Sequence, residues 1–176
     1  MKPFSTPFIT VAGPADAAEL SRLVNSAYRG DSSKQGWTTE ADLLGGQRTN
    51  EAGIQEMLAE PDAVILKYTN ETGLLQGCVY LQKKGGKLYL GMLTVSPELQ
   101  AKGIGKQLLA AAENRAKKVS CNCIQMTVIS VRKELIAWYE RHGYAATGET
   151  APFPTDPKFG LPKQSLEFIV MEKQLA

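Results

Sequence analysis

Three apolar runs follow one another in mid-chain: AVILKYT (Ala63–Thr69), LLQGCVYLQ (Leu74–Gln82) and KLYLGMLTV (Lys87–Val95). Their β-branched, aromatic and leucine-rich makeup predicts three strands. Only short connections carrying Thr72-Gly73 and Gly85-Gly86 part them. Parallel neighbours need a crossover of a dozen or more residues, so these three runs are expected to form an antiparallel meander. Any fold for this chain must be built around that meander.

The remaining pattern mixes helices and strands. FITVA (Phe8–Ala12) reads as a first strand, and Pro14 opens a helical pattern through Ala17, Leu20, Leu23, Val24 and Ala27. Tyr28–Thr39 is polar and glycine-bearing, the composition of a loop. Thr39 and Asp42 have the spacing of a capping box for a helix entering at ADLL, and NEAGIQEMLAE continues helically until Pro61. Gly103–Val119 is predicted helical, with Ile104, Leu108, Ala111, Ala112 and Val119 on one stripe. CIQMTVI (Cys123–Ile129) reads as a strand. A helix over Val131–His142 places Val131, Leu135, Trp138 and His142 on one face, with Gly143 at its C′ position. Tyr144–Thr150 and Ser165–Lys173 read as the last two strands. Between them, the four prolines of APFPTDPKFGLPK exclude a regular element and stiffen a loop. The order predicts a single α/β domain over residues 1–176, with about seven strands, mostly antiparallel, and helices on both faces.

Composition bounds the function. With 176 residues, 43% hydrophobic and 22% charged, the chain suits one soluble domain. A net charge of +2 is too small to argue for nucleic acid or a membrane surface. No apolar span or signal-peptide core is present, so the cytoplasm is the expected location. Three cysteines, Cys78, Cys121 and Cys123, without repeated spacing argue against a disulfide framework or a structural zinc site. His142 is the only histidine, and its place at a helix end suits the helix dipole. No metal is expected.

The turn after the meander carries the chemistry. LTVSPELQAKGIGK (Leu93–Lys106) joins a strand to a helix through a basic, glycine-rich turn. Gly103 and Gly105 let a ligand approach the backbone. The first N–H groups of the helix have no internal partner and, with the helix dipole, favour an anion. Lys102 and Lys106 add charge, and Gln100 adds a donor. A phosphate or pyrophosphate fits such a turn; a glycine-containing helix start without a ligand is the plainer alternative. The P-loop pattern fails at Gln100 and Gln107, and the dinucleotide fingerprint fails at Leu108.

Gln100-Ala101-Lys102-Gly103-Ile104-Gly105 matches the Gln/Arg-x-x-Gly-x-Gly/Ala signature of the GCN5-related N-acetyltransferases, the GNAT superfamily. AWYERHGY resembles the family's Tyr-x-x-x-Gly-Phe/Tyr segment, and the strand ending in MEKQL resembles its closing strand. The resemblance implies a splayed strand pair that receives acetyl-coenzyme A as co-substrate. Leu93, Thr94 and Val95 would line its pantetheine, chiefly through main-chain groups of Leu93 and Val95. Gln100, Ala101, Lys102, Gly103, Ile104, Gly105 and Lys106 would hold its pyrophosphate. Tyr139 would protonate the departing thiolate, which a phenol near pKa 10 can do; by pattern alone it reads as a packed helical aromatic, and the motif favours the catalytic role. A backbone N–H near Leu93 would stabilise the oxyanion.

Two departures stand out. Arg132 occupies the place, seven residues before Tyr139, where many relatives carry asparagine. The run KLYLGMLTV also lacks the strand glutamate that some relatives use as a base. Glu40 is the candidate base; an acid in the first turn of a helix is equally favourable by itself. Tyr28 and Trp37 are candidates to wall an amine pocket, with Phe153 and Phe159 covering it. The implied activity is acetyl transfer to a primary amine, on a small molecule or a peptide, by a monomer or a homodimer. The alternative is a non-catalytic module that binds acetyl-coenzyme A or coenzyme A as a sensor.

Overall fold

The computed structural model describes residues 8–28, 44–45, 49–99, 103–152, 161–162 and 166–175. The chain runs through β1 (Ile9–Val11), a 3-10 turn (Pro14–Asp16), α1 (Ala17–Tyr28), β2 (Leu44–Gly45), α2 (Glu51–Ala59), β3 (Ala63–Thr69) and β4 (Leu75–Lys84). It continues through β5 (Lys87–Val95), a 3-10 turn (Pro97–Leu99), α3 (Ile104–Lys118), β6 (Cys123–Ile129), α4 (Lys133–Arg141), β7 (Ala145–Pro152), β8 (Leu161–Pro162) and β9 (Glu167–Gln174). The expected loop at Tyr28–Thr39 and the helix start at Thr39–Asp42 lie outside the described residues, apart from the backbone of Tyr28.

Seven strands form one sheet in the order β1-β3-β4-β5-β6-β9-β7, and β2 pairs with β8 separately. The meander is antiparallel, as the short glycine connections require. β5 and β6 are the one parallel pair among the described strands, because α3 supplies the crossover between them. Strand alternation splits the core in two. Val64, Leu66, Val79, Leu81, Leu88 and Leu90 face α3 and α4 together with Ile124, Met126 and Met171. Ile65, Cys78, Tyr80 and Met92 face the other way, against Leu20 and Val24 of α1 and Ile54 of α2. The helices therefore cover both faces. All three cysteines are buried free thiols.

Two expectations are corrected. The proline-rich segment does contain strand: β7 ends on Pro152 and β8 on Pro162. Both lie on sheet edges, where a missing N–H costs no ladder bond. The apolar stripe expected over Val131–His142 is also shifted. The helix starts at Lys133 behind the N-cap Arg132, so Val131 precedes it and is exposed, while Tyr139 is the buried residue of α4.

Asp16 ties the first turn to the sheet. Its carboxylate accepts from the Gly13 N–H at 2.8 Å and pairs with Lys67 at 2.9 Å. Burial alone would raise its pKa, but the Gly13 N–H and the Lys67 ammonium outweigh burial and hold it below 3.8. A lowered native pKa stabilises the fold above the unfolded value, and that contribution is lost as pH falls through the native value. Asp16→Asn keeps an oxygen acceptor for the Gly13 N–H and removes the charge paired with Lys67, so it is expected to cost up to about 1 kcal/mol near neutrality. In urea unfolding the gap between variant and wild type should narrow as pH falls below 3.8.

Candidate functional site

The site begins where two strands part. β5 and β6 pair only at Lys87–Cys123, Leu88–Ile124 and Tyr89–Gln125. Beyond Tyr89, β5 stays with β4 to Val95, and β6 stays with β9 to Ile129. The sheet thus opens into a fork flanked by Leu90–Val95 on one arm and Met126–Ile129 on the other.

A bulge marks the fork's β5 arm. Tyr80 pairs with Gly91 and Cys78 with Thr94, so β5 carries one residue more than β4 in this interval. Bulges bend a strand and increase its twist, which carries β5 away from β6. Met92 sits in the bulge at φ +53°, a left-handed conformation costing a non-glycine residue about 1 kcal/mol. Its carbonyl accepts from the Thr94 hydroxyl at 2.9 Å and lies 3.9 Å from the Cys78 thiol. Thr94 is 2% exposed, so its side chain faces this carbonyl rather than an open groove. Leu93 and Val95 are half-buried against the α3 side of the core.

α3 starts just beyond the end of β5. Gly103 is its N-cap at φ +87°, with no side-chain cap, and a Cβ there would meet nothing within 4 Å. Lys106 is exposed in the first turn, and that turn contains no acid. This is the open, uncapped helix start that suits an anion. Gly105 has a different reason. A Cβ there would stand 3.2 Å from the Trp138 ring of α4 and 3.8 Å from Val95. The missing side chain lets Trp138 dock on the first turn of α3. Gln100, Ala101 and Lys102 lie outside the described residues.

Tyr139 lies on α4, 5% exposed, in the same cluster as Leu88, Leu90, Ile124 and Met126. Its ring meets Trp138 edge-on at 5.2 Å and Tyr144 at 5.8 Å. These contacts account for its packing role. Trp138, placed in the core by sequence, is half-buried, and its ring lies tilted against His142 with centroids 4.4 Å apart. His142 Nδ1 lies 2.8 Å from the Trp138 carbonyl, the helix-end role expected of it. Tyr144 is buried, and burial first, then Glu113, pushes its phenol well above the ordinary range. Arg132 is buried ahead of α4, with Nε 3.8 Å from Glu134.

Two groups near the closed end of the fork escaped the sequence reading. The Tyr89 ring folds over Gly91, whose Cβ would come within 2.9 Å of it. The signal was present as Tyr-x-Gly on a strand, an aromatic side chain covering a bare glycine. Glu172 accepts from Lys87 at 2.6 Å and Gln125 at 2.7 Å, and Lys87 chiefly holds its carboxyl below the usual range. A carboxylate kept ionised in this way is a poor proton acceptor. Glu40, Trp37 and Phe153 lie outside the described residues, and Tyr28 is described in backbone only. Among the described residues no helix is long and apolar enough to cross a membrane.

Comparison with known proteins converges on this architecture. The family model for the acetyltransferase (GNAT) domain matches residues 30–153. A mycothiol acetyltransferase of Mycobacterium sp. (strain MCS) is 31% identical over 124 residues, covering 68% of this chain and 38% of that protein. The chain thus spans less than half of that relative's length. The ribosomal-protein-S18-alanine N-acetyltransferase of Escherichia coli shares the fold, with a TM-score of 0.69 and 15% identity over 96% of this chain and 93% of that one. So does a Bacillus anthracis str. Ames protein ascribed a streptothricin acetyltransferase role and solved with acetyl coenzyme A. Its TM-score is 0.57, with 19% identity over 69% of this chain and 68% of that one. With the family model spanning the fork, the glycine-started helix and Tyr139, this chain is a member of the GNAT acetyltransferase family.

Proposed function

We propose that the protein transfers an acetyl group from acetyl-coenzyme A to a primary amine by direct attack. The observation that carries this reading is the fork between β5 and β6 leading to the uncapped start of α3. A fork between strands offers main-chain groups to the amides of an extended pantetheine, and a helix start offers N–H groups to a pyrophosphate. The fit is chemical as well: Gly103 leaves open space, and Lys106 adds a positive charge without a first-turn acid to oppose it.

In this reading the neutral amine nitrogen adds to the thioester carbonyl, and the oxygen takes the negative charge. The carbon–sulfur bond then breaks, Tyr139 gives its proton to the thiolate, and the amine loses one to a base. Glu40 remains the candidate for that base, since β5 carries no acid and Glu172 is committed to Lys87. Tyr28, Trp37 and Phe153 are proposed to wall the amine. The acceptor is a small-molecule or peptide amine, and the enzyme is cytoplasmic, as a monomer or a homodimer.

The test is thiol release from acetyl-coenzyme A with a panel of spermidine, an amino acid, an aminoglycoside and an alanine-terminated peptide. Release with at least one amine is expected. The absence of an acid on β5 favours one second reading, a non-catalytic coenzyme A-binding module. Calorimetric binding without release from any amine supports that module instead.

A further inference from the structure

We infer that Tyr89 is a specificity-determining residue for the acceptor: its hydroxyl stands at the apex of the fork and hydrogen-bonds an oxygen atom that the acceptor carries near its amine. The inference rests on the acetyltransferase reading above and adds a second point at which the acceptor is held.

Tyr89 and Gln125 form the last pair before β5 and β6 part. From there the Tyr89 ring leans along β5 onto the open arm. Its hydroxyl oxygen stands 3.1 Å from the position a Cβ on Gly91 would take, so any larger residue at 91 would displace it. Two neighbours hold the ring. Tyr80 meets it edge-on with centroids 6.4 Å apart, and the Lys84 ammonium lies 4.7 Å from its centroid. The two tyrosines differ in one respect. The Tyr80 hydroxyl donates to Gln82 Oε1 at 3.0 Å, whereas no hydrogen bond among the described residues engages the Tyr89 hydroxyl. A half-buried hydroxyl held in this way can donate to a ligand.

Packing sets the side from which the acceptor comes. Leu88, Leu90, Ile124, Met126 and Tyr139 fill the face under α3 and α4, and the start of α3 is where the pyrophosphate would sit. The amine therefore approaches from the opposite face. Tyr89 packs on that face beside Tyr80 and Met92, at the border of a core that includes no described residue of β6 or β9. Charge then selects the group recognised. The Glu172 carboxylate at the apex already accepts from Lys87 at 2.6 Å and from Gln125 at 2.7 Å. The Lys84 cation on the Tyr89 ring opposes a second ammonium. An oxygen of a carbonyl, hydroxyl or carboxylate is what the Tyr89 hydroxyl is placed to bind.

Tyr89→Phe keeps the ring against Gly91, Tyr80 and Lys84 and removes only the oxygen, so its melting temperature should match that of the wild type. For each oxygen-bearing amine of the panel that the wild type turns over, the variant is expected to raise KM about tenfold, with kcat within about twofold. Spermidine carries no oxygen, and its KM should change by less than about twofold. The size of the loss with the amino acid, the aminoglycoside and the alanine-terminated peptide separates carboxylate, hydroxyl and amide oxygens. An unchanged KM for every amine overturns the inference, as does an equal rise for spermidine or a wild type that acetylates spermidine alone. A wild type that acetylates nothing overturns the acetyltransferase reading alone. Calorimetric titration of the same amines into the protein saturated with coenzyme A then decides the role of Tyr89. Binding about tenfold weaker in Tyr89→Phe upholds it, and equal binding or no binding overturns it.

Discussion

Replacing Tyr139 with phenylalanine is expected to lower turnover by about 100-fold while changing acetyl-coenzyme A affinity by less than about threefold. The expectation follows from what the hydroxyl does and what the ring does. The ring packs edge-on against Trp138 and Tyr144 inside the core, and phenylalanine keeps those contacts. Thermal stability should therefore be nearly unchanged. The hydroxyl is the proton source for the departing thiolate in the proposed mechanism, and only that is removed. A difference between thiols is informative. An acetyl thioester with a more acidic thiol needs less protonation, so it should lose less rate in the variant. Equal losses in turnover and affinity would return Tyr139 to a packing role.

The second large effect is expected at Gly77 of β4, which lies under α3. A Cβ there would stand 3.0 Å from the Thr94 carbonyl, 3.1 Å from Leu108 and 3.2 Å from Ile104. Leu108 is fully buried, and Ile104 is the first residue of the helix, so neither can move without lifting α3. Gly77→Val should destabilise the fold by about 1–3 kcal/mol, the usual cost of overpacking. It should also displace the Gly103 N-cap from the end of β5 and weaken acetyl-coenzyme A binding roughly tenfold, or about 1.4 kcal/mol. Gly86→Ala is the control, because a Cβ at Gly86 meets nothing within 4 Å. Calorimetry below the melting temperature of both variants separates the two effects. Normal affinity in Gly77→Val would mean that the helix start does not hold the coenzyme.

Much of this fold was legible because local pattern and tertiary burial agree. The strands at Ala63–Thr69, Lys87–Val95 and Cys123–Ile129 carry continuous apolar runs, and the structure gives them those same bounds. The stripe Ile104, Leu108, Ala111 and Ala112 on α3 is buried as its period requires. What escaped depends on partners distant in sequence. The bulge at Met92 exists because β5 has one residue more than β4 between two pairs, and KLYLGMLTV alone contains no sign of that count. The fork is likewise a property of where β5–β6 pairing stops. Gly105 signals a close approach without naming the neighbour, and the structure places Trp138 against its Cβ position. Pro152 and Pro162 looked like strand breakers because edge position cannot be read from composition.

The measurement that bears most directly on the central claim is simultaneous detection of free coenzyme A and N-acetylated amine by mass spectrometry. The protein is incubated with acetyl-coenzyme A and each amine of the panel. The account predicts that at least one amine is acetylated on nitrogen, with one coenzyme A released per product and the rate sharply lower in Tyr139→Phe. Binding of acetyl-coenzyme A at millimolar concentration with no acetylated amine anywhere in the panel would contradict it.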